Sequence, residues 1–143
     1  MKNLFVPYEI AKQLKEKGFN DGCLGRYEQK SENGNIQFRF NLNFEDTFCN
    51  HNDGDSELII CSSPLYQQAT DWFESKHKIL ITSQKEPFGK WIALIINDYE
   101  KIHIGFGNKT VYSNHIDINN DYEGFIDKYD ALNKAIEEAL KLI

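Results

Sequence analysis

Cys49, His51, Asp53 and Asp55 alternate with Asn50, Asn52 and Gly54 in one short stretch. Thiolate, imidazole and carboxylate are the side chains that hold metal ions, and a C-x-H step suits zinc. A zinc site needs three or four ligands, however, and Cys23, Cys61, His77, His103 and His115 are scattered along the chain with no second close pair. Calcium chemistry fits less well. With Gly54 at the sixth position of an EF-hand loop, Cys49 would stand first and Ile60 last, and neither is a calcium ligand. Asp46, Asp53, Asp55 and Glu57 could also pair for acid–base work, but a run of loop carboxylates is more simply read as solvated. The enzymatic alternative is therefore a small metal-assisted hydrolase built on the loop of residues 49–55. The simpler reading of that loop is a solvated connection, with no cofactor.

Other chemistry finds less support. Ser62 and Ser63 do not sit in a G-x-S-x-G elbow. Gly105-Phe106-Gly107 lacks a third glycine and a helix after it, and there is no Walker lysine. His103 lies on the polar side of an alternating segment, and His77 at a helix end complements the helix dipole. Tyr66, Trp72 and Phe73 could form an aromatic platform. Leu65, Ala69, Trp72 and Phe73 recur at helical spacing, which places Trp72 in a core stripe. Tyr66, Gln67 and Gln68 leave that stripe and are the candidate contact residues.

The elements that would position these groups can be read from the pattern. Pro7, the Ile10/Ala11/Leu14 stripe and Gly18 predict a helix over 7–17, with Phe19 folding back on its last turn. A short strand is expected at 23–29, then an Asn33-Gly34 hairpin turn. Residues 36–44 alternate strictly, with Ile36, Phe38, Phe40, Leu42 and Phe44 on one face, which predicts a half-buried antiparallel strand. Residues 45–57 read as a polar loop, and 58–61 as a strand. Ser62 and Ser63 then supply helix-start oxygens for a helix over 64–77, with Pro64 in its first turn. Segments 78–83 and 90–97 form a hairpin, and 102–106 a further strand; 110–120 carries no clear pattern.

Phe125, Tyr129, Leu132, Ile136, Ala139 and Ile143 mark a long terminal helix, about 24 Å from residue 128 onward. Asp130–Lys134 and Glu137–Lys141 stand at favourable spacing on its wet side. The order predicts an α+β fold: one mainly antiparallel sheet of about five to six strands, three helices packed on it, and a single domain over 1–143.

Composition bounds the function. A chain of 143 residues with ten Phe, seven Tyr and two Trp can bury a core without staples. The net charge of −6 and a pI near 5.2 disfavour binding to nucleic acid through phosphates. Lys12, Lys15 and Lys17 are interleaved with Glu9 and Glu16, and the two arginines, Arg26 and Arg39, are separate. An acidic surface suits a basic protein partner. Three widely spaced cysteines argue against a disulfide framework, and no signal peptide is expected at Met1. The longest apolar run, residues 91–96, is far too short for a membrane span. Together these predict a cytoplasmic protein with no membrane contact.

Three segments carry a likeness: PYEIAKQLKEKGFND, SPLYQQATDWFESKH and YDALNKAIEEALKLI, about a third of the chain. In these the chain resembles a group of small uncharacterised proteins encoded in Bacteroidetes genomes, often in prophage or other mobile regions. The Pro-Leu-Tyr-Gln-Gln run before Asp-Trp-Phe is the most distinctive part. The resemblance implies an accessory protein of phage or mobile-element origin, and it carries over no functional residues. With no strong catalytic motif, the expected function is a non-enzymatic protein-interaction module, with self-association through a sheet edge or aromatic patch as one form of it.

Overall fold

The computed structural model describes residues 2–30, 34–40, 49–52, 58–85, 87, 89–97, 100–105, 110–112 and 125–143; for 97, 100–105 and 110–112 it describes the backbone. Two compact units emerge, Met1–Ala69 and Thr70–Ile143.

The first unit opens with a single 3-10 turn, Lys2–Leu4, and helix α1, Tyr8–Glu16. Pro7 stands at the N-cap, just ahead of the expected first-turn position, and Ile10, Ala11 and Leu14 form the buried face. The helix ends as the Gly18-Phe19 pair predicts. Gly18 has φ +90, its N–H donates to Lys15 O at 3.0 Å, and the Phe19 N–H donates to Leu14 O at 2.9 Å. These are the two bonds of a Schellman cap, and the buried Phe19 ring supplies the apolar contact that goes with it.

Strands β1 (Gly25–Gln29) and β2 (Ile36–Phe40) form the expected hairpin, in register from Gly25↔Phe40 to Gln29↔Ile36. Gly34, at φ +67, makes the turn possible. The part of the predicted strand beyond Phe40 lies outside the described residues. On one face Phe38 packs on Phe5 and Tyr27, with ring centroids 4.9 and 5.8 Å away. A Cβ on Gly25 would stand 2.7 Å from the Phe38 ring, so glycine is what lets that ring lie over β1. On the other face Arg26 and Arg39 are directly opposed, an arrangement that repels unless neutralised. Glu28 bonds both, at 3.2 and 2.7 Å, and Gln37 as well at 3.1 Å. The two guanidiniums hold the Glu28 carboxyl below its ordinary range against the opposing effect of burial, which is the largest single influence.

Strand β3 (Ile59–Ser63) pairs antiparallel with β1, with a register shift between Tyr27 and Glu28, giving the order β2-β1-β3. Helix α1 packs on β3, and Lys15 Nζ donates to Ile60 O at 2.7 Å.

Ser62 and Ser63 belong to this strand, which corrects their expected role as helix caps. Helix α2 runs Tyr66–His77, so Pro64 precedes it, and the Pro64 carbonyl accepts from Val6 N–H at 3.0 Å. Leu65 then occupies the N-cap without a side-chain oxygen. Gln68 supplies the missing contact from three residues on: its Oε1 accepts from Leu65 N–H at 3.0 Å, the backward half of a capping box.

In the second unit β4 (Ile79–Lys85) and β5 (Trp91–Asn97) form a hairpin, and β6 (Glu100–Gly105) and β7 (Thr110–Tyr112) extend it to the order β4-β5-β6-β7. Lys78, at φ +59, takes the left-handed step out of α2. Helix α3, Lys128–Leu140, packs on β4 and β5. Ile79, Ile81, Ala93 and Ile95 share one face of the hairpin and, with Ala131, Leu132, Ala135, Ile136, Ala139 and Leu140 of α3, form a core of branched and small side chains. The small alanines let the helix lie close to the strands. Asp127 caps α3, accepting from Tyr129 N–H at 2.7 Å. The ion pairs on its wet side differ from those expected. Lys134 pairs with Glu138 at 3.1 Å and Glu137 at 3.8 Å, and Lys141 with Glu138 at 2.6 Å.

The fold is thus α+β with antiparallel pairing and a C-terminal helix, as predicted; among the described residues the strands divide between two sheets, and the expected single sheet of five to six strands is not found. Each sheet is closed by a local hairpin, β1-β2 and β4-β5. Such pairs close short loops and so form at lower entropic cost than pairing across α2 would require. No helix among the described residues is long and apolar enough to cross a membrane.

Candidate functional site

The polar side chains of the first unit converge where residues 49–52 lie against β3 and Cys23. Cys23 and Cys49 form an isolated antiparallel bridge, with Cys23 N–H donating to Cys49 O at 2.9 Å. His51 follows, 7% exposed, and its N–H donates to Ser62 Oγ at 2.9 Å. Asn52 completes the clasp. Its Oδ1 accepts from Ser62 N–H at 2.9 Å, its Nδ2 donates to the Phe19 carbonyl, and its own N–H donates to Asn50 Oδ1 at 3.0 Å. One asparagine thereby joins the end of α1 to the outer side of β3.

Burial favours the uncharged forms of Cys23, Cys61, Tyr27 and His51. Burial pushes the Cys23 thiol up to about 12, with the nearby Ser62 hydroxyl opposing and Asp21 and Cys61 adding to the rise. Burial likewise raises Cys61 to about 11, although Lys15 and Lys12 oppose it. Both are poor nucleophiles near neutral pH. Burial raises the Tyr27 phenol, which donates to Val6 O at 2.8 Å. Ser63 Oγ is buried without a proper hydrogen bond. It lies beside Tyr27, whose ionised form it favours. The His51 imidazole is held below its usual range, first by burial and then by the nearby Arg26 charge, with a bond to the Cys23 backbone acting the other way.

That shift has a measurable consequence. A base whose folded pKa lies below the unfolded value of 6.5 leaves the unfolded chain binding more protons just under that pH. Stability is then whole above pH 6.5 and falls as the pH drops toward the folded value. The melting temperature should decline between pH 7.5 and 5.5, and His51→Gln should remove that part of the decline. Glu28 acts lower, since its depressed pKa stabilises above the unfolded carboxylate range and is lost below it. Thermal melts of both proteins across the range separate the two windows.

Of the loop residues proposed as ligands, Cys49 and His51 are brought near Cys23, while Asp53 and Asp55 lie outside the described residues. Among the described residues no group of three His, Cys, Asp or Glu side chains is placed to hold a metal ion. The contact candidates on α2 separate. Tyr66 is 7% exposed and so does not leave the buried face. Gln68 holds two backbone groups, Leu65 N–H and, through Nε2, Gly22 O at 2.9 Å. Gln67 is the exposed member of the three. Sequence reasoning missed Asn52 and the pairing of Cys23 with Cys49, because both are contacts across the β1–β2 hairpin and leave no spacing to read.

A different surface stands out at β2. Ile36 is 43% exposed and Phe40 37% exposed, on the face where Phe40 meets Phe5 edge-on with centroids 6.0 Å apart. The strand expected to be half-buried therefore leaves much of its apolar row open. It is also terminal in its sheet, and among the described residues no strand pairs with its outer edge. The opposite edge, at β3, is occupied by Asn52 and by the Val6–Pro64 bond. No family model, curated protein or solved structure matches the chain, so its function is argued from this geometry.

Proposed function

We propose that this protein is a non-enzymatic interaction module that takes up an extended segment of a protein partner along β2. The observation that carries this reading is the outer edge of β2, with which no strand pairs among the described residues, and the exposed side chains of Ile36 and Phe40 beside it. An edge strand offers a row of backbone donors and acceptors, which an added strand satisfies, and alternate side chains give the contact its specificity. The acidic balance of the chain favours a partner of basic character. The cluster around His51 supports the same reading, since burial holds the Cys23 and Cys61 thiols in their protonated forms. An accessory role in a phage or mobile element, expected from the resemblance, is part of this proposal.

The test is a tagged pull-down from lysate of the native host, with nuclease treatment, comparing wild type with an Ile36→Lys/Phe40→Lys variant. These side chains are already exposed, so the variant should melt within a few degrees of wild type. A near-stoichiometric, nuclease-resistant protein retained by wild type and lost by the variant is the expected result. A partner held equally by both, or none at all, would overturn the assignment to β2.

A further inference from the structure

The ladder between β1 and β2 fixes which way the backbone of β2 points. Its register runs unshifted from Gly25↔Phe40 to Gln29↔Ile36, and at the next pair Lys30 N–H donates to Asn35 O at 2.9 Å. Hydrogen-bonded and non-hydrogen-bonded pairs alternate along an antiparallel ladder. Asn35, Gln37 and Arg39 therefore turn their backbone groups toward β1, while Ile36, Phe38 and Phe40 turn theirs to the outer edge. Among the described residues no strand pairs with that edge. The other end of the sheet, at β3, is guarded. There Ile60 O accepts from Lys15 Nζ at 2.7 Å, Ser62 N–H donates to Asn52 Oδ1 at 2.9 Å, and Pro64 O accepts from Val6 N–H at 3.0 Å. Two side chains and one backbone bond thus occupy the positions that an added strand would need.

We infer that β2 pairs with β2 of a second copy of this chain, antiparallel about a two-fold axis through Phe38. The inference rests on the reading of β2 as a strand-accepting edge, and it names the occupant of that edge when no other protein is bound. In this register β2 is complementary to itself. Ile36 stands opposite Phe40 of the second copy and Phe38 opposite its own counterpart. All three carry outward backbone groups, so each of these pairs is hydrogen-bonded. The exposed side chains of Ile36 and Phe40 meet on one face. On the other face Gln37 stands opposite Arg39 of the second copy, an amide against a guanidinium. Glu28 in each copy already bonds its own Gln37 and Arg39, at 3.1 and 2.7 Å. Neighbouring registers fit less well. Centring the pair on Arg39 opposes like charges, and centring it on Gln37 sets Phe40 against the turn residue Gly34. A slip of one residue puts the two apolar rows on opposite faces. The contact is isologous, so it uses both β2 edges and closes at two copies. The guarded β3 edges prevent growth from the far ends. The dimer joins two three-stranded sheets into one and competes with a partner segment for the same edge.

The experiment is sedimentation velocity on the reduced 143-residue chain over a dilution series, with circular dichroism to confirm that each variant is folded. Wild type should sediment as a dimer that dissociates on dilution, with no larger species. Ile36→Lys/Phe40→Lys opposes lysines across the axis and should weaken the dimer at least tenfold. Ile36→Lys/Phe40→Glu opposes lysine to glutamate in this register alone, so it should restore the dimer and make it sensitive to salt. A wild type that stays monomeric throughout the micromolar range would overturn the inference. So would a dimer that the double-lysine variant leaves intact, or a folded lysine–glutamate variant that stays monomeric. A monomeric wild type that still captures a protein through β2 would remove the dimer and leave the partner reading standing. A dimer with both expected variant effects but no captured protein would do the reverse.

Discussion

Trp72→Ala should destabilise the protein by about 3–5 kcal/mol, the cost of deleting a large ring from a packed site. Trp72 is 4% exposed. Its ring meets Phe73 edge-on at 5.1 Å between centroids, and His77 edge-on at 4.6 Å. Phe73 in turn lies 6.1 Å from His77, so the three rings form one cluster at the end of α2. Removing the indole strips contacts from both neighbours at once and leaves a cavity that a helix end cannot easily close. Urea unfolding followed by circular dichroism measures the effect, and Trp91 remains as an independent fluorescent reporter. A loss under about 1 kcal/mol would mean that Trp72 lies on a surface after all. It would also restore the aromatic-platform reading that its burial opposes.

Asn52→Ala should cost about 2–4 kcal/mol, an effect out of proportion to the size of the side chain. Two of its bonds serve groups of residues that are almost wholly buried: the Ser62 N–H and the Phe19 carbonyl, each on a residue 1% exposed. A buried donor or acceptor left without a partner costs about 1–3 kcal/mol, far more than the net worth of an ordinary hydrogen bond. Asn52→Asp discriminates the two halves. It keeps an acceptor for Ser62 but replaces the donor with a carboxylate facing a carbonyl, so it should be no better than alanine near neutral pH. Chemical denaturation gives the magnitude, and hydrogen exchange at the Ser62 amide gives the location. Wild-type stability with unchanged exchange at Ser62 would show that the clasp is replaceable by water.

Local elements were legible because their signals are short-range. Gly18 and Phe19 specify the Schellman end of α1 without any tertiary contact. Asn33-Gly34 between two strand-like runs specifies a hairpin, and the alternation from Ile36 to Phe40 places its side chains by face. The stripe through Leu132, Ile136 and Ala139 marks the buried side of α3, although Ala131, Ala135 and Leu140 widen it beyond the expected set. The start of α2 was misread for a physical reason. Ser-Ser-Pro is a strong helix-start signal in isolation, but pairing Ser62 and Ser63 with Arg26 and Gly25 satisfies their backbone in a sheet. Gln68 then serves as the cap.

The candidate site was legible only in its ingredients. The metal-binding residue types at 49–55 could be seen, and so could the three cysteines, but nothing in their spacing opposes Cys23 to Cys49 or turns Asn52 toward both Phe19 and Ser62. Nor does alternation alone tell how much of a strand's apolar face will be covered. Ile36, Phe38 and Phe40 read alike, yet Phe5 and Tyr27 cover Phe38 while Ile36 and Phe40 stay open.

The sequence by itself therefore determined the class of fold, the helix ends, the hairpins and the acidic character, since each depends on residues within a few positions of one another or on composition. Only the tertiary structure decided that the described strands divide between two sheets, that β2 stands at the end of one of them, and that the polar residues around His51 close into a hydrogen-bonded cluster. Those outcomes depend on which strand meets which, a choice among long-range pairings of similar local energy that burial and hydrogen-bond satisfaction settle together.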